Sequence, residues 1–421
     1  MTQKKLLRGV AMVGAGMSKF GAFPDKSSRD LFVEAYQDMK ASMDKGLDPR
    51  EIQAFYMGNF SSDQFEGQAH MAPILASWVG LAPIPALRVE DACASGGVAL
   101  RQAFMAIAAG IYDVVLVGGV EKMTDLPINE VTKALASAAD TQFEIPAGFT
   151  FPGFYATMAT AYMHQYNATL TAFNQVSIKN HENGSLNEKA HFGTSIKDVY
   201  EGKKSKAAAQ GKPVPTWQSE KEFLADPRGN PWIAWPMSLF DCSPVSDGAA
   251  AVLLVSEELA SKYSDHPVFI IGSGQASDGA LAERDSLTHV PSAVTAARQA
   301  YEMAGVGPND IDLAEVHDCF TIAEIMASED LGFFQHGEGW KAALDGKTAR
   351  NGEHPINSSG GLKSKGHPVG ASGTAQAVEI WKQLRGTAGA RQVPNEPKIG
   401  LTHNVGGSGQ TTVVHIFESR S

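Results

Sequence analysis

The segment Val10-Ala11-Met12-Val13-Gly14-Ala15-Gly16 recurs in the second half of the chain as Val268-Phe269-Ile270-Ile271-Gly272-Ser273-Gly274. A repeat on this scale restricts the chain to a fold built twice. Each copy continues into a helical stretch with an Ala-Tyr pair, Ala35-Tyr36 and Ala300-Tyr301. A Gly/Pro break follows, Gly46-Leu47-Asp48-Pro49 in one copy and Gly305-Val306-Gly307-Pro308 in the other, and then a short strand, at 54–59 and 312–317. In this register Gly58 falls opposite His317. Farther on, Cys93-Ala94-Ser95-Gly96-Gly97 and its helix are echoed by His367-Pro368-Val369-Gly370-Ala371-Ser372-Gly373 and a helix to Leu384. Each copy closes on an apolar strand and a double glycine, at 114–119 and 398–407. Two strand-helix-strand-helix-strand units predict an α/β protein with two similar sheets packed through shared helices. The helices after Cys93 and His367 form its middle layer, and their N-termini converge near the pseudo-twofold axis, so the cysteine and the histidine share a pocket.

Cys93 stands on a Gly-rich turn ahead of a run, 98–109, in which Arg101 and Gln102 are the only strongly polar side chains. That pattern predicts a helix buried on nearly all sides, with its first turn at 94–97. The positive end of the helix dipole favours thiolate over thiol at Cys93, and the thiolate is the nucleophilic form. Most free cysteines are small buried hydrophobes. This stretch alone does not decide between the two.

Composition narrows the partners. With 421 residues, 43 % hydrophobic and 19 % charged, the chain has the make-up of a globular protein with room for two domain-sized halves. A net charge of -11 argues against nucleic acid or an anionic membrane as a general partner. Three widely spaced cysteines, Cys93, Cys242 and Cys319, make neither a disulfide framework nor a CxxC metal site, and point to a reducing compartment. Lys4, Lys5 and Arg8 before an apolar run superficially resemble a secretory signal, but 9–17 is short and Gly-rich and suits a first strand. No apolar run reaches a membrane-spanning length. The terminal Ser-Arg-Ser lacks the Leu of the usual peroxisomal address, so the expected location is cytoplasmic, with peroxisome or mitochondrion open for a eukaryotic source.

Between the copies an insert at 123–236 breaks the pattern, with helical stretches at 155–166 and 170–181 and a polar Lys/Gly-rich segment at 200–215. Inserts of this length are commonly lids or substrate-binding regions. Lys203, Lys204, Lys206 and Lys212 could meet phosphates or simply form a solvated face. In the second half, His317 and Cys319 are two apart on the extended segment Glu315-Val316-His317-Asp318-Cys319-Phe320 and so point the same way. His367 is hemmed in by Gly366 and Pro368 on a shaped loop. Near the end, Asn404-Val405-Gly406-Gly407-Ser408-Gly409 offers backbone N–H groups to an oxyanion.

Five stretches now match one family in order and spacing. They are Asp91–Gly97, Gly118-Gly119-Val120-Glu121-Lys122-Met123, Asp241-Cys242-Ser243-Pro244-Val245-Ser246-Asp247-Gly248, His317-Asp318-Cys319-Phe320 and Gly366-His367-Pro368. Over nearly its full length the chain resembles the thiolases, in particular the sterol-carrier-protein-type branch. The resemblance implies an αβαβα five-layer fold and oligomerisation through the nucleophile half, as a homodimer or homotetramer. It also implies acyl transfer on CoA thioesters, with coenzyme A or acyl-CoA as substrate and no metal or permanently bound cofactor. It divides the chain into an N-terminal half, 1–122 and 237–264, an inserted loop domain, 123–236, and a C-terminal half, 265–421. One departure stands out: most thiolases carry a second catalytic cysteine in the C-terminal loop, where this chain reads His403-Asn404-Val405-Gly406-Gly407.

The resemblance then assigns roles. Cys93 is the nucleophile, and His367 takes its proton. Cys319 exchanges the second proton in place of the missing loop cysteine, its thiol matched to that of CoA near the reference value of about 8.5. His317 completes one oxyanion site beside His367, and the backbone N–H groups of Cys93 and Val405 form the other. Met158 and His181 of the insert, with Ser246 and Gly407, are candidates for substrate or CoA contact, and Cys242 reads as structural. The expected reaction is thiolysis of a 3-oxoacyl-CoA or the reverse Claisen condensation. Two alternatives remain: a subunit that needs a small zinc-ribbon/OB-fold protein to hold CoA, and a ketosynthase-type condensing enzyme, which would not need Cys319.

Overall fold

The computed structural model describes residues 7–394 and 396–420. Lys4, Lys5 and Ser421, used above in reading the termini, lie outside the described residues. The strands are β1 (Val10–Met17), β2 (Ala54–Gly58), β3 (Ala86–Val89), β4 (Val114–Glu121), β5 (Trp232–Ala234), β6 (Met237–Ser238), β7 (Gly248–Ser256), β8 (Val268–Ser277), β9 (Leu313–Glu315), β10 (Ile399–Gly406) and β11 (Thr411–Ser419). Nine of them form one sheet in the order β3-β2-β4-β7-β1-β8-β11-β10-β9, and β5 and β6 form a separate hairpin.

The repeat is visible in the pairing. In the first half β2 runs parallel to β3 and β4, and β7 lies antiparallel between β4 and β1. In the second half β9 runs parallel to β10, and β11 lies antiparallel between β10 and β8. The counterpart of β3 has shrunk to a single parallel bridge, Ala314 to Ile356. The strand β7, which follows the insert in sequence, thus completes the first half-sheet. The two half-sheets that the sequence suggests are continuous along one edge. The repeat strands β1 and β8 meet antiparallel across the pseudo-axis and pair at Ala11–Phe269 and Met12–Val268, which fuses them into one sheet.

Strands buried on both faces send alternate side chains to two cores. From β4, Val115 and Val117 face an inner core and Val114 and Leu116 an outer one. The inner core holds the two middle helices, Ser95–Ala108 and Ser372–Leu384, through Val98, Phe104, Val378 and Trp381. The outer faces are covered by the helices Ser28–Ala41 and Met71–Trp78 on the first half, and by Pro291–Ala304 and Thr321–Asp330 on the second. This is the five-layer αβαβα arrangement. Truncating Phe104 in its middle layer would cost about 3–5 kcal/mol.

The packing explains Gly58. A Cβ there would lie 2.6 Å from Gly96 Cα, so glycine alone lets the first turn of the cysteine helix sit against the end of β2. Ala54 pairs with Val115 and Leu313 with Gly400, so Gly58 and His317 stand equally far beyond matching residues of their halves. One copy uses this place for close packing. The other puts an imidazole there.

In the insert the helices Phe151–Tyr166 and Leu170–Ser185 extend the expected ones, and the polar Lys/Gly-rich segment begins within a further helix, Ile196–Ala209. Ser195 and Asp198 close its N-terminus as a reciprocal capping box, which stabilises the first turn. Lys203 lies 4.9 Å over the Phe223 ring and donates to Gly229 O, and Lys204 donates to Trp217 O. These two lysines therefore serve the insert itself, while Lys206 and Lys212 are exposed. No helix among the described residues is long and apolar enough to cross a membrane.

Candidate functional site

The turn that carries Cys93 is strained. Ala92 adopts φ 48, a left-handed conformation that costs a non-glycine residue about 1–3 kcal/mol. It is held by Asp91 N–H donating to Ser95 Oγ at 2.9 Å, Ser95 Oγ donating to Ala92 O at 2.6 Å and Ala92 N–H donating to Glu90 Oε1 at 2.7 Å. The result delivers Cys93 to the head of the helix Ser95–Ala108. The Gly407 N–H and the Cys93 N–H both face the sulfur and favour its thiolate. Despite the helix terminus, the thiolate is not the resting form, because burial pushes the Cys93 thiol up to about 12. A helix dipole contributes about 0.3–1 kcal/mol, less than one pKa unit, and desolvation outweighs it.

His367 comes from the second copy, between Gly366 and Pro368. Its N–H donates to Ser246 Oγ at 3.2 Å, and its Nδ1 lies 2.6 Å from Ser372 Oγ. The Ser372 proton goes to Pro368 O at 2.9 Å, so Nδ1 must be the donor and the hydrogen-bond network assigns a free lone pair to Nε2. Burial holds its imidazole down at about 3, and the ring is neutral. His317 is likewise neutral, pushed well below the usual range by burial and by its neighbours His367 and His403. The Cys93 sulfur and one nitrogen from each of His317 and His367 lie within 4.8 Å of one another.

Cys319 arrives on the segment after β9. The Tyr155 hydroxyl donates to Gly407 O at 3.4 Å and lies close enough to the Cys319 sulfur to favour its thiolate, and the Tyr155 ring stacks on Phe320 at 4.5 Å. Burial pushes the Cys319 thiol well above its ordinary range, so a resting match to the CoA thiol is not what this pocket provides. Tyr155 went unnoticed in the sequence, where it is one aromatic in an apolar helix; only the fold brings it to Cys319.

Two carboxylates hold the loops in place. Glu121 accepts from Phe60 N–H at 2.8 Å, Ser61 N–H at 3.1 Å, Asn59 Nδ2 at 3.0 Å and Gly370 N–H at 3.0 Å, tying the histidine loop to the end of β2. Asp318 accepts from Leu362 N–H at 2.6 Å and Asn180 Nδ2 at 2.7 Å, which anchors the His317–Cys319 segment.

Cys93, Cys319 and His367 open onto a cavity of about 180 Å³ with apolar walls that include Met123, Leu135, Phe151 and Phe320. Cys242 and Gly407 also line it. A larger cleft of about 710 Å³ is lined by Asp91 and Ala92 of the nucleophile turn together with Arg88 and Glu90, and has none of the cysteines or histidines in its walls. Three sequence expectations change here. Val405 is part of the β10–β11 ladder opposite Thr412; the amide that reaches Cys93 is that of Gly407, turned out of the ladder by its φ of 63. Met158 is packed among Tyr155, Tyr162 and Ile325 in the insert core and does not line the cavity. His181 is also outside it, stacked on Phe192 at 5.6 Å with its Nε2 3.4 Å from Lys363 Nζ. Ser246 is buried and supports the loop through His367 N–H, and its hydroxyl also meets His191 Nδ1 at 2.9 Å.

A twice-built α/β sandwich whose two middle helices bring a thiol and a lone-pair imidazole to one apolar cavity defines an enzyme that can pass an acyl group through a thioester. A family model described as the thiolase N-terminal domain matches residues 10–258, and one described as thiolase C-terminal domain-like matches 273–419. The acetyl-CoA acetyltransferase of Methanothermobacter thermautotrophicus is 44 % identical over 412 residues, 98 % of this chain and 100 % of that protein. Sterol carrier protein 2 of Bos taurus is 32 % identical, over 98 % of this chain and 73 % of that protein. The solved structure of an Ltp2-ChsH2(DUF35) aldolase shares the fold, with a TM-score of 0.77 at 24 % identity over 99 % of each chain. The chain belongs to the thiolase family and is a thiolase-type CoA acyltransferase.

Proposed function

We propose that the chain cleaves a 3-oxoacyl-CoA with CoA, or runs the reverse Claisen condensation, through an acyl group on Cys93. The observation that carries this reading is the meeting of Cys93, His317 and His367 within 4.8 Å beside a second thiol, Cys319. His367 Nε2 takes the Cys93 proton as the sulfur attacks the C3 carbonyl, so neither group is charged until substrate arrives. The developing oxyanion meets the N–H groups of Cys93 and Gly407, and the thioester oxygen of the leaving acetyl-CoA enolate meets His317 and His367. Cleavage of the C2–C3 bond leaves the enolate, which Cys319 protonates at C2. The Cys319 thiolate, with the Tyr155 hydroxyl turned to it, then takes the proton of the incoming CoA, whose sulfur displaces the acyl group from Cys93, and the released Cys93 sulfur takes its proton back from His367. Residues 123–236 act as the loop domain that shapes the acyl site.

Coenzyme A is a substrate in this scheme and no metal takes part. The edge strand β3, with Leu87 and Trp78 exposed on and near it, supports assembly through the nucleophile half as a homodimer or homotetramer. A small zinc-ribbon/OB-fold partner for CoA is the second reading. It is supported by cavity walls that carry no lysine or arginine for the CoA phosphates, and by the fold relative, whose name pairs Ltp2 with a DUF35 protein. A cytoplasmic location fits three free cysteines. The test is loss of acetoacetyl-CoA enolate absorbance when the purified chain meets CoA. Turnover by the chain alone supports the stand-alone enzyme; CoA binding only after a zinc-ribbon/OB-fold protein is added supports the second reading; no turnover in either case contradicts both.

A further inference from the structure

A sulfur and two imidazoles this close together form a ligand set suited to zinc, which takes one lone pair from each. Asn404 decides whether His317 has that lone pair to give. The Gly97 N–H donates to Asn404 Oδ1 at 3.1 Å, so Nδ2 is the donor end of the amide. Its two protons point to Cys93 O at 3.0 Å and His317 Nδ1 at 3.2 Å. Nδ1 of His317 is therefore an acceptor, and the ring proton sits on Nε2, a buried atom with no partner of its own. His367 is held the opposite way round by Ser372, with its lone pair on Nε2.

We propose that Asn404 is a positioning residue that locks His317 in the Nε2–H tautomer, which makes it a proton donor beside the base His367 and closes the Cys93–His317–His367 cluster to soft divalent cations. The donor role rests on the function proposed above; the closure to metal does not. To bind zinc, His317 would have to move its proton to Nδ1, against the Asn404 Nδ2 protons. Turning the amide over would place Nδ2 against the Gly97 N–H and Oδ1 against Cys93 O, losing both bonds. The loop that carries a cysteine in most thiolases thus carries here an amide with the donor pattern that a neighbouring histidine requires.

Asn404→Asp reverses the pattern. A carboxylate accepts from the Gly97 N–H and from a His317 Nδ1–H, leaving Nε2 free, as in carboxylate–histidine–zinc sites. The full chain, Asn404→Asp and Asn404→Ala are titrated with zinc chloride against a fluorescent chelator, without CoA. One zinc ion is expected to bind Asn404→Asp at least tenfold more tightly than wild type, and Cys93→Ser in that background abolishes the gain. Long-range nitrogen–proton spectra of labelled wild type, with His317→Gln for assignment, are expected to place the His317 proton on Nε2. Neither readout needs turnover, so an inactive chain could still pass both. For catalysis, Asn404→Ala is expected to lower kcat by about 10–100-fold with KM changed less than threefold, since loss of a single oxyanion donor costs about 10²–10³. Wild type that binds zinc as tightly as the variants, or a His317 proton on Nδ1, overturns the proposal; if Asn404→Asp does not fold, the spectrum and Asn404→Ala decide.

Discussion

His317 and His367 meet edge to face, with ring centroids 5.1 Å apart and planes at 86°. Both are buried and neutral, His367 held at about 3 by burial and His317 also far below its usual value. Two imidazolium ions at this distance would repel each other in a poorly hydrated site. The site therefore rests without charge.

That resting state has a pH signature. The Cys93 pKa is raised by burial to about 12, so the thiolate is scarce below it and its fraction grows about tenfold per pH unit. Alkylation of Cys93 by iodoacetamide, read by peptide mass, is expected to accelerate with pH from 6 to 9 without levelling. A plateau with a midpoint below 8 would show a preformed thiolate–imidazolium pair and contradict the neutral resting site.

Tyr155 acts on the second thiol. Its hydroxyl favours the Cys319 thiolate, and a hydrogen bond to a charged group is worth about 1.5–3 kcal/mol. Tyr155→Phe is expected to lower kcat about tenfold or more while KM changes less than threefold and the thermal midpoint is nearly unchanged. Steady-state thiolysis rates check this; an unchanged kcat would remove Tyr155 from the proton path.

The role of Glu121 is structural, and it spans the halves. Its two oxygens take four donors, from the end of β2 and from the histidine loop. Glu121→Ala strands those buried donors and is expected to cost about 2–5 kcal/mol, read as a lower urea midpoint, with a large loss of kcat because Gly370 no longer holds the His367 loop. A midpoint within about 0.5 kcal/mol of wild type would contradict it, the scale of an ordinary surface change.

Much of this was legible in the residues. The paired segments at 10–16 and 268–274 and the Gly58–His317 register carried the two-fold plan, because a repeat preserves strand order and spacing. The fusion of β1 with β8 was not legible, since it depends on where two distant strands meet. The helix Ile196–Ala209 is hidden by its lysines and glycine, which give no apolar stripe, although Ser195 and Asp198 carry its cap signal. The charge state of Cys93 is not legible, because a helix terminus can be read from sequence and the depth of burial cannot. Gly407 was passed over as the amide donor because the left-handed turn that aims it appears only in the backbone. Tyr155 and Asn404 act through long-range contacts that no local pattern announces.

The central claim is that the acyl group passes through Cys93 and that Cys319 handles the second proton. Intact mass of the purified chain after mixing with acetoacetyl-CoA tests both. The expected result is an acetyl adduct on the native chain, absent in Cys93→Ser, and discharged by free CoA about 10²–10⁴-fold more slowly in Cys319→Ala, the range for loss of a general acid–base group. An adduct that persists in Cys93→Ser, or that CoA discharges from Cys319→Ala at the native rate, would contradict the account.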